Sequence, residues 1–247
     1  MLALDFDGVV ADALQECAAV TWHAGPFGRG ATAPRLPDAI DEVPHSFIET
    51  FRQVRAYSRT LDDFMVANVL HERPGSIDRQ LFQSTRDLHR RDLADQAAAA
   101  ERVRGNWRDQ QYDQWTGLHT VHPEVAELIA NARQDIVIVS AKDAESIKAV
   151  LKLHGLDEKV SRIKGACKNK RHVLQALLNH DPDMAGEGII FVDDSIENIL
   201  DARDLPVRVK WAGWGYHGPE DLAVAAEHDV RMLHLSEVAK LTSAGGS

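Results

Sequence analysis

Two rhythms of apolar and polar positions divide the chain. Residues 136–139 (Ile-Val-Ile-Val) and 188–192 (Gly-Ile-Ile-Phe-Val) are short apolar runs, and residues 2–6 open the chain in a similar way. Runs of this length and β-branched content predict strands buried on both faces. Residues 144–154, 171–179 and 196–203 instead space their apolar side chains helically, as Val173, Leu174, Leu177 and Leu178 do. Residues 160–164 and 207–211 predict two further strands. Strands alternating with helices of this length predict an α/β fold, a parallel sheet with helices on both faces.

From residue 11 to about residue 118 the pattern predicts helices and no strand. Residues 42–57 repeat apolar side chains at helical intervals through Phe47, Ile48, Phe51 and Val54. Residues 61–71 do the same behind Thr60, which is placed to cap a helix ahead of Asp62 and Asp63. Residues 76–115 predict one long polar helical region, and residues 25–37, rich in glycine and proline, predict a loop. The expected organisation is a sheet domain built from residues 1–11 and 119–247, with an all-helical unit, residues 12–118, inserted after the first strand.

Composition narrows the function classes. The formal net charge is −10. Nucleic-acid binding needs clustered cations, so this balance counts against it. No apolar run approaches the roughly 20 residues of a membrane helix, and no basic, cleavable leader opens the chain. The two cysteines, Cys17 and Cys167, suit a reducing cytoplasm. The expected partner is a small molecule, taken up by a monomer or homodimer.

The chemistry concentrates at strand ends. Leu4-Asp5-Phe6-Asp7-Gly8 places two carboxylates two residues apart where a strand gives way to a glycine. In extended geometry both would face one side. Acids so close resist joint ionisation unless a cation lies between them. A calcium loop beginning at Asp5 is ruled out, because Val9 and Val10 occupy the positions that need an oxygen ligand and a glycine. Phe191-Val192-Asp193-Asp194-Ser195 repeats the theme, with two acids after a buried strand and before a helix. Helix capping needs only one such residue. Four carboxylates from two strand ends suit a hard divalent cation. Ser140 closes the strand of residues 136–139, where its hydroxyl and the following N–H groups could hold a phosphate oxygen. Lys170, a point-charge phosphate binder, precedes the helix of residues 171–179, with Lys164 and Lys168 as rivals.

In the order Asp5-x-Asp7, Ser140, Lys170, Asp193-Asp194, the chain resembles the haloacid dehalogenase superfamily. Residues 209–216 and Gly218-Pro219-Glu220 resemble its phosphoglycolate-phosphatase-like branch, which carries a helical cap of the C1 type. The resemblance covers residues 1–12 and roughly 122–242. It implies a Rossmann-like core and a phosphatase that works through an aspartyl-phosphate. Asp5 would be the nucleophile, and Asp7 the acid that protonates the leaving oxygen and then the base that activates water. Mg²⁺ would be held by Asp5, the backbone carbonyl of Asp7 and Asp194, with Asp193 near or in the shell. Gly8, Ser140, Ala141 and Lys170 would meet the phosphate, and Arg55 of the insert a second anionic group, unless it and its neighbours Arg52 and Arg59 are solvated or paired with Asp62 and Asp63. Asn198 stands where many members carry a further acid, and is left to orient a metal-bound water. A phosphomutase uses the same motifs and stays open, as does a non-catalytic protein on this fold. Dehalogenases generally lack the second aspartate, and phosphonate cleavage needs a cap lysine, of which residues 11–118 have none.

Overall fold

The computed structural model describes residues 1–28, 35–180 and 188–241; residues 29–34 of the loop expected at 25–37 lie outside them. The chain forms two compact units, Met1–Asp12 with Thr120–Ser247, and Ala13–His119. It passes through β1 (Leu2–Leu4) and β2 (Ala11–Asp12) and then enters the helical unit. That unit contains α1 (Leu14–Ala24), α2 (Asp38–Asp41), α3 (His45–Arg55), α4 (Leu61–Phe64), α5 (Val66–Leu70), α6 (Arg79–Leu88), α7 (Arg90–Gln110) and α8 (Tyr112–Thr116).

Helix α1 packs against α7. Small side chains make this possible: Cys17, Ala18 and Ala19 of α1 and Ala97 and Ala100 of α7 are all buried. The same helices share a buried ion pair, Arg104 Nε to Glu16 Oε1 at 2.7 Å, to which Trp115 donates from Nε1 at 3.3 Å. The long helix expected over 76–115 is broken at His89, whose φ of −104° and ψ of 15° leave the helical region, and again at Gln111, with φ −140° and ψ 46°. The one expected over 61–71 is interrupted at Met65. At Met65 the torsions, φ −65° and ψ −16°, stay helical. Side-chain periodicity survives such short interruptions, so none of these breaks was legible in it.

The chain returns through β3 (Thr120–Val121), α9 (Pro123–Asn131), β4 (Ile136–Val139), α10 (Ala144–Leu153), β5 (Arg162–Lys164), α11 (Lys170–His180), β6 (Ile189–Asp193), α12 (Ile196–Ala202), β7 (Val207–Ala212), α13 (Pro219–Glu227) and β8 (Met232–Leu233). Six strands form a parallel sheet in the order β5-β4-β1-β6-β7-β8. On one face Ala3, Val137, Val139, Ile189 and Phe191 join a core with Leu174 and Leu177 of α11 and Ile196 and Ile199 of α12. Ala11 and Asp12 do form a strand, contrary to the expectation of none after residue 10. They pair antiparallel with Val121 and Thr120. Two-residue strands such as these and β8 show no period, and their partners lie far along the chain. No helix among the described residues is long and apolar enough to cross a membrane.

Strand β1 is central. Leu4 pairs with Ile138 on one side and Val192 on the other. All three strands run the same way, so the residues at their carboxyl ends, Asp5, Ser140 and Asp193, share one edge of the sheet, where ligands of open parallel sheets bind.

Candidate active site

Asp5 continues β1 by one hydrogen bond, its N–H to the Val192 carbonyl at 2.9 Å. The chain then turns. The Phe6 carbonyl accepts the N–H groups of Val9, Val10 and Ala11, and the Gly8 N–H donates to the Ala11 carbonyl at 2.8 Å. The extended path expected from Asp5 to Asp7 therefore ends at Phe6, and the two carboxylates take different partners.

Lys170, the first residue of α11, is buried with its Nζ 2.8 Å from Asp5 Oδ2 and 2.7 Å from Asp193 Oδ2. Its rivals Lys164 and Lys168 are exposed. Burial alone would lower the Lys170 pKa, but the Asp193 and Asp5 carboxylates outweigh it and hold the ammonium above its ordinary value. Burial pushes the Asp5 carboxyl above its ordinary value. Lys170 pulls it back, Asp193 pushes it further up, and a hydrogen bond from Ser140 lowers it.

Asp193 is held on every side. It accepts from Lys170, from the Ser195 N–H at 2.9 Å, and from Asn198 Nδ2 at 3.0 Å and 3.2 Å. Asn198, expected to orient a metal-bound water, thus also fixes the Asp193 carboxylate. Ser195 alone caps α12, accepting the Asn198 N–H.

Asp194 lies in a cradle that glycines keep open. A Cβ on Gly8 would fall 2.1 Å from Asp194 Oδ2, and one on Gly215 would fall 2.3 Å from Asp194 Cβ. Gly8 also has φ +92°, a conformation that L side chains rarely adopt. Tyr216 donates its N–H to Asp194 Oδ2 at 2.8 Å. Trp211 donates from Nε1 to the Asp194 carbonyl at 2.8 Å, and Trp214 to the Val9 carbonyl at 3.1 Å. Trp211, itself part of the core, and Trp214 thereby brace both acid-bearing loops.

Ser140 is buried and its hydroxyl accepts the Lys142 N–H at 3.3 Å, with the half-buried Ala141 between them. Lys142 is buried as well, its Nζ 3.4 Å from both oxygens of Asp7.

The three carboxylates of Asp5, Asp193 and Asp194 thus share one ammonium, that of Lys170, a formal excess of two negative charges. One oxygen each from Asp5, Asp193 and Asp194 lies within 4.8 Å of the others. All three are buried, where unbalanced charge is costly. An oxygen-only donor set with that excess fits one hard divalent cation. The side chain of Asp7 is outside this group.

The sequence matches the haloacid dehalogenase-like hydrolase family over residues 1–204. The chain belongs to that family. No curated protein matches it. Among solved structures it is similar to a predicted phosphoglycolate phosphatase from Haemophilus somnus, at TM-score 0.63 and 15% identity, covering 98% of this chain and 97% of that one. A predicted phosphatase from Clostridium acetobutylicum matches at TM-score 0.63 and 13% identity, over 97% of this chain and 96% of the other. A haloacid dehalogenase-like family protein from Streptococcus pneumoniae matches at TM-score 0.60 and 14% identity, again over 97% and 96%. At these identities the likeness establishes a shared fold.

Within this haloacid dehalogenase-like hydrolase, the structure brings Asp5, Ser140, Lys170, Asp193 and Asp194 to one sheet edge and joins Asp7 to them through the turn. It adds Lys142, which sequence reasoning passed over. The available signal was its place two residues beyond Ser140, but only the fold shows its side chain to be buried. Arg55, expected to meet substrate, is buried inside the helical unit, where Nη1 donates to the Ser58 carbonyl at 3.2 Å and the guanidinium lies 5.0 Å from the Phe64 ring centroid. Its neighbour Arg52 pairs with Glu49 at 2.7 Å, and Asp63 accepts the N–H groups of Arg59 and Thr60.

Proposed function

We propose that this hydrolase is a Mg²⁺-dependent phosphatase that cleaves a small phosphomonoester through an aspartyl-phosphate on Asp5. The observation that carries the reading is the Asp5 carboxylate, buried between Lys170 and the oxygen cluster it forms with Asp193 and Asp194.

Asp5 attacks phosphorus, an acyl-phosphate bond forms and the bond from phosphorus to the ester oxygen breaks. Asp7 gives its proton to the departing alkoxide, which leaves as an alcohol. Asp7, now ionised, takes a proton from water as that water attacks phosphorus. The acyl-phosphate bond breaks, and phosphate and the Asp5 carboxylate are restored. Lys170 and the Ser140 hydroxyl, both beside Asp5, stabilise negative charge on the transferring group. Asp5 and Asp194 side chains with the Asp7 carbonyl would hold Mg²⁺, which when bound offsets the repulsion between an anionic nucleophile and a phosphate ester. Asp193, fully engaged by Lys170, Asn198 and Ser195, orients the lysine. The substrate is a small molecule, and membranes and nucleic acids have no part in the reaction.

The test is release of inorganic phosphate from a panel of phosphorylated metabolites with and without Mg²⁺. Acid-quenched enzyme should carry phosphate on Asp5, and Asp5→Asn should abolish both the adduct and the release. A purified Asp5→Asn protein that released phosphate as fast as the parent would end the proposal. Transfer of the phosphoryl group to a second position of a sugar phosphate, without free phosphate, would mark a mutase instead.

A further inference from the structure

Two lysines are buried among the described residues, and the proposed mechanism uses only Lys170. The other, Lys142, follows β4 and has a side chain with 0% exposure. A buried ammonium is costly unless it is paired, and Lys142 pairs with Asp7, its Nζ 3.4 Å from Oδ1 and 3.4 Å from Oδ2. The two acids of the Asp5-x-Asp7 motif are thus paired with different lysines, Asp5 with Lys170 and Asp7 with Lys142.

The backbone carrying Lys142 is tightly defined. The Ser140 hydroxyl accepts its N–H, the Lys142 carbonyl accepts the Ala166 N–H at 2.9 Å, and the Ser140 carbonyl accepts the Cys167 N–H at 2.9 Å. Gly165 allows this approach, since a Cβ there would fall 2.4 Å from the Ala144 nitrogen and 2.9 Å from the Lys142 carbonyl oxygen. The strand end that supplies Ser140 therefore also delivers a cation to a fixed point. Equal distances to both oxygens place the charge between them, so the pairing restrains rotation of the carboxylate.

We infer that Lys142 is a positioning residue that holds the Asp7 carboxyl toward the leaving oxygen, its ammonium pairing with the carboxylate that Asp7 becomes as it gives up its proton. This rests on the proposed phosphatase mechanism. Leaving-group dependence separates this role of Lys142 from phosphate binding. An alkoxide needs the proton as it departs, whereas p-nitrophenolate leaves well without it.

The experiment is rapid-quench measurement of alcohol release in the first turnover, with an alkyl phosphate and with p-nitrophenyl phosphate, using enzyme loaded with Mg²⁺. Lys142→Met should slow release from the alkyl ester about 100-fold, the lower end of what a positioned acid contributes. Release of p-nitrophenol should slow less than about tenfold, with little change in KM. In the Asp7→Asn background the same substitution should add almost nothing, because the group it positions is gone. Equal slowing with both esters would place Lys142 on the phosphoryl group or in the fold alone, and overturn the inference; no slowing would do the same. If Lys142→Met does not fold, Lys142→Gln and the double variant, which leaves no unpaired charge, carry the comparison. Should Asp5→Asn still show first-turnover release, the mechanism fails and not the role of Lys142.

Discussion

Lys170 Nζ lies 2.8 Å from Asp5 Oδ2 and within hydrogen-bonding distance of Asp193 as well, so one ammonium joins acids 188 residues apart along the chain, Asp5 and Asp193. Removing it leaves two buried carboxylates facing each other. Lys170→Met should destabilise the metal-free protein by about 3–5 kcal/mol, the usual cost of breaking a buried pair. Asp193→Asn in the same chain should recover part of that loss. Urea unfolding of the single and double variants checks it, and a single-variant loss below about 0.5 kcal/mol would show that the pair contributes little to stability.

Gly8 tests the cradle around Asp194. Alanine there meets both a left-handed torsion, worth about 1–2 kcal/mol, and a clash with Asp194 Oδ2 and the Tyr216 ring. Gly75 has φ +103°, and a Cβ there would meet nothing within 4 Å, so Gly75→Ala carries the torsional cost alone. Gly8→Ala should therefore lose more stability than Gly75→Ala and should also lose Mg²⁺-dependent phosphate release. Equal behaviour of the two variants would remove the steric argument.

Metal should stabilise the fold in a pH-dependent way. At about 100 times its Kd, a ligand of the native state contributes about 2.7 kcal/mol. The folded Asp5 pKa lies above its unfolded value, chiefly through burial. In the metal-free protein the stability linked to this group is present below the unfolded pKa and is lost as pH rises through the folded one. Mg²⁺ needs the ionised carboxylate, so its stabilisation should grow with pH across that same window. Melting temperatures recorded with Mg²⁺ and with a chelator, from acid to neutral pH, measure both slopes. Asp194→Asn should flatten the difference, and a Mg²⁺ shift that survives this substitution would place the ion elsewhere.

The helical unit has its own buried charge pair. Glu16 and Arg104 have side chains 0% and 3% exposed and meet at 2.7 Å. Burial alone would lower the Arg104 pKa, but Glu16 outweighs it and holds the guanidinium charged. Glu16→Gln should cost about 3–5 kcal/mol, and Glu16→Met with Arg104→Met should cost less than the single change. Chemical denaturation followed by tryptophan fluorescence reads both, since Trp115 donates to Glu16. A double variant weaker than the single would show the pair to be a net source of stability.

Much of this protein was written locally. Ile136–Val139 and Ile189–Asp193 read as buried strands because burial on both faces removes polar residues from consecutive positions. The acids Asp5, Asp7, Asp193 and Asp194 stood out because nothing in a strand end requires such pairs. Other features depended on the chain's return to itself. Choosing Lys170 over Lys168, binding Lys142 to Asp7 and turning Asn198 toward Asp193 are contacts between side chains brought together by the sheet. The Ala11–Asp12 and Thr120–Val121 ribbon is likewise a pairing across more than a hundred residues. Periodicity records how each residue meets its own strand or helix, whereas the partner of a buried charge is selected by which strand lies next to which.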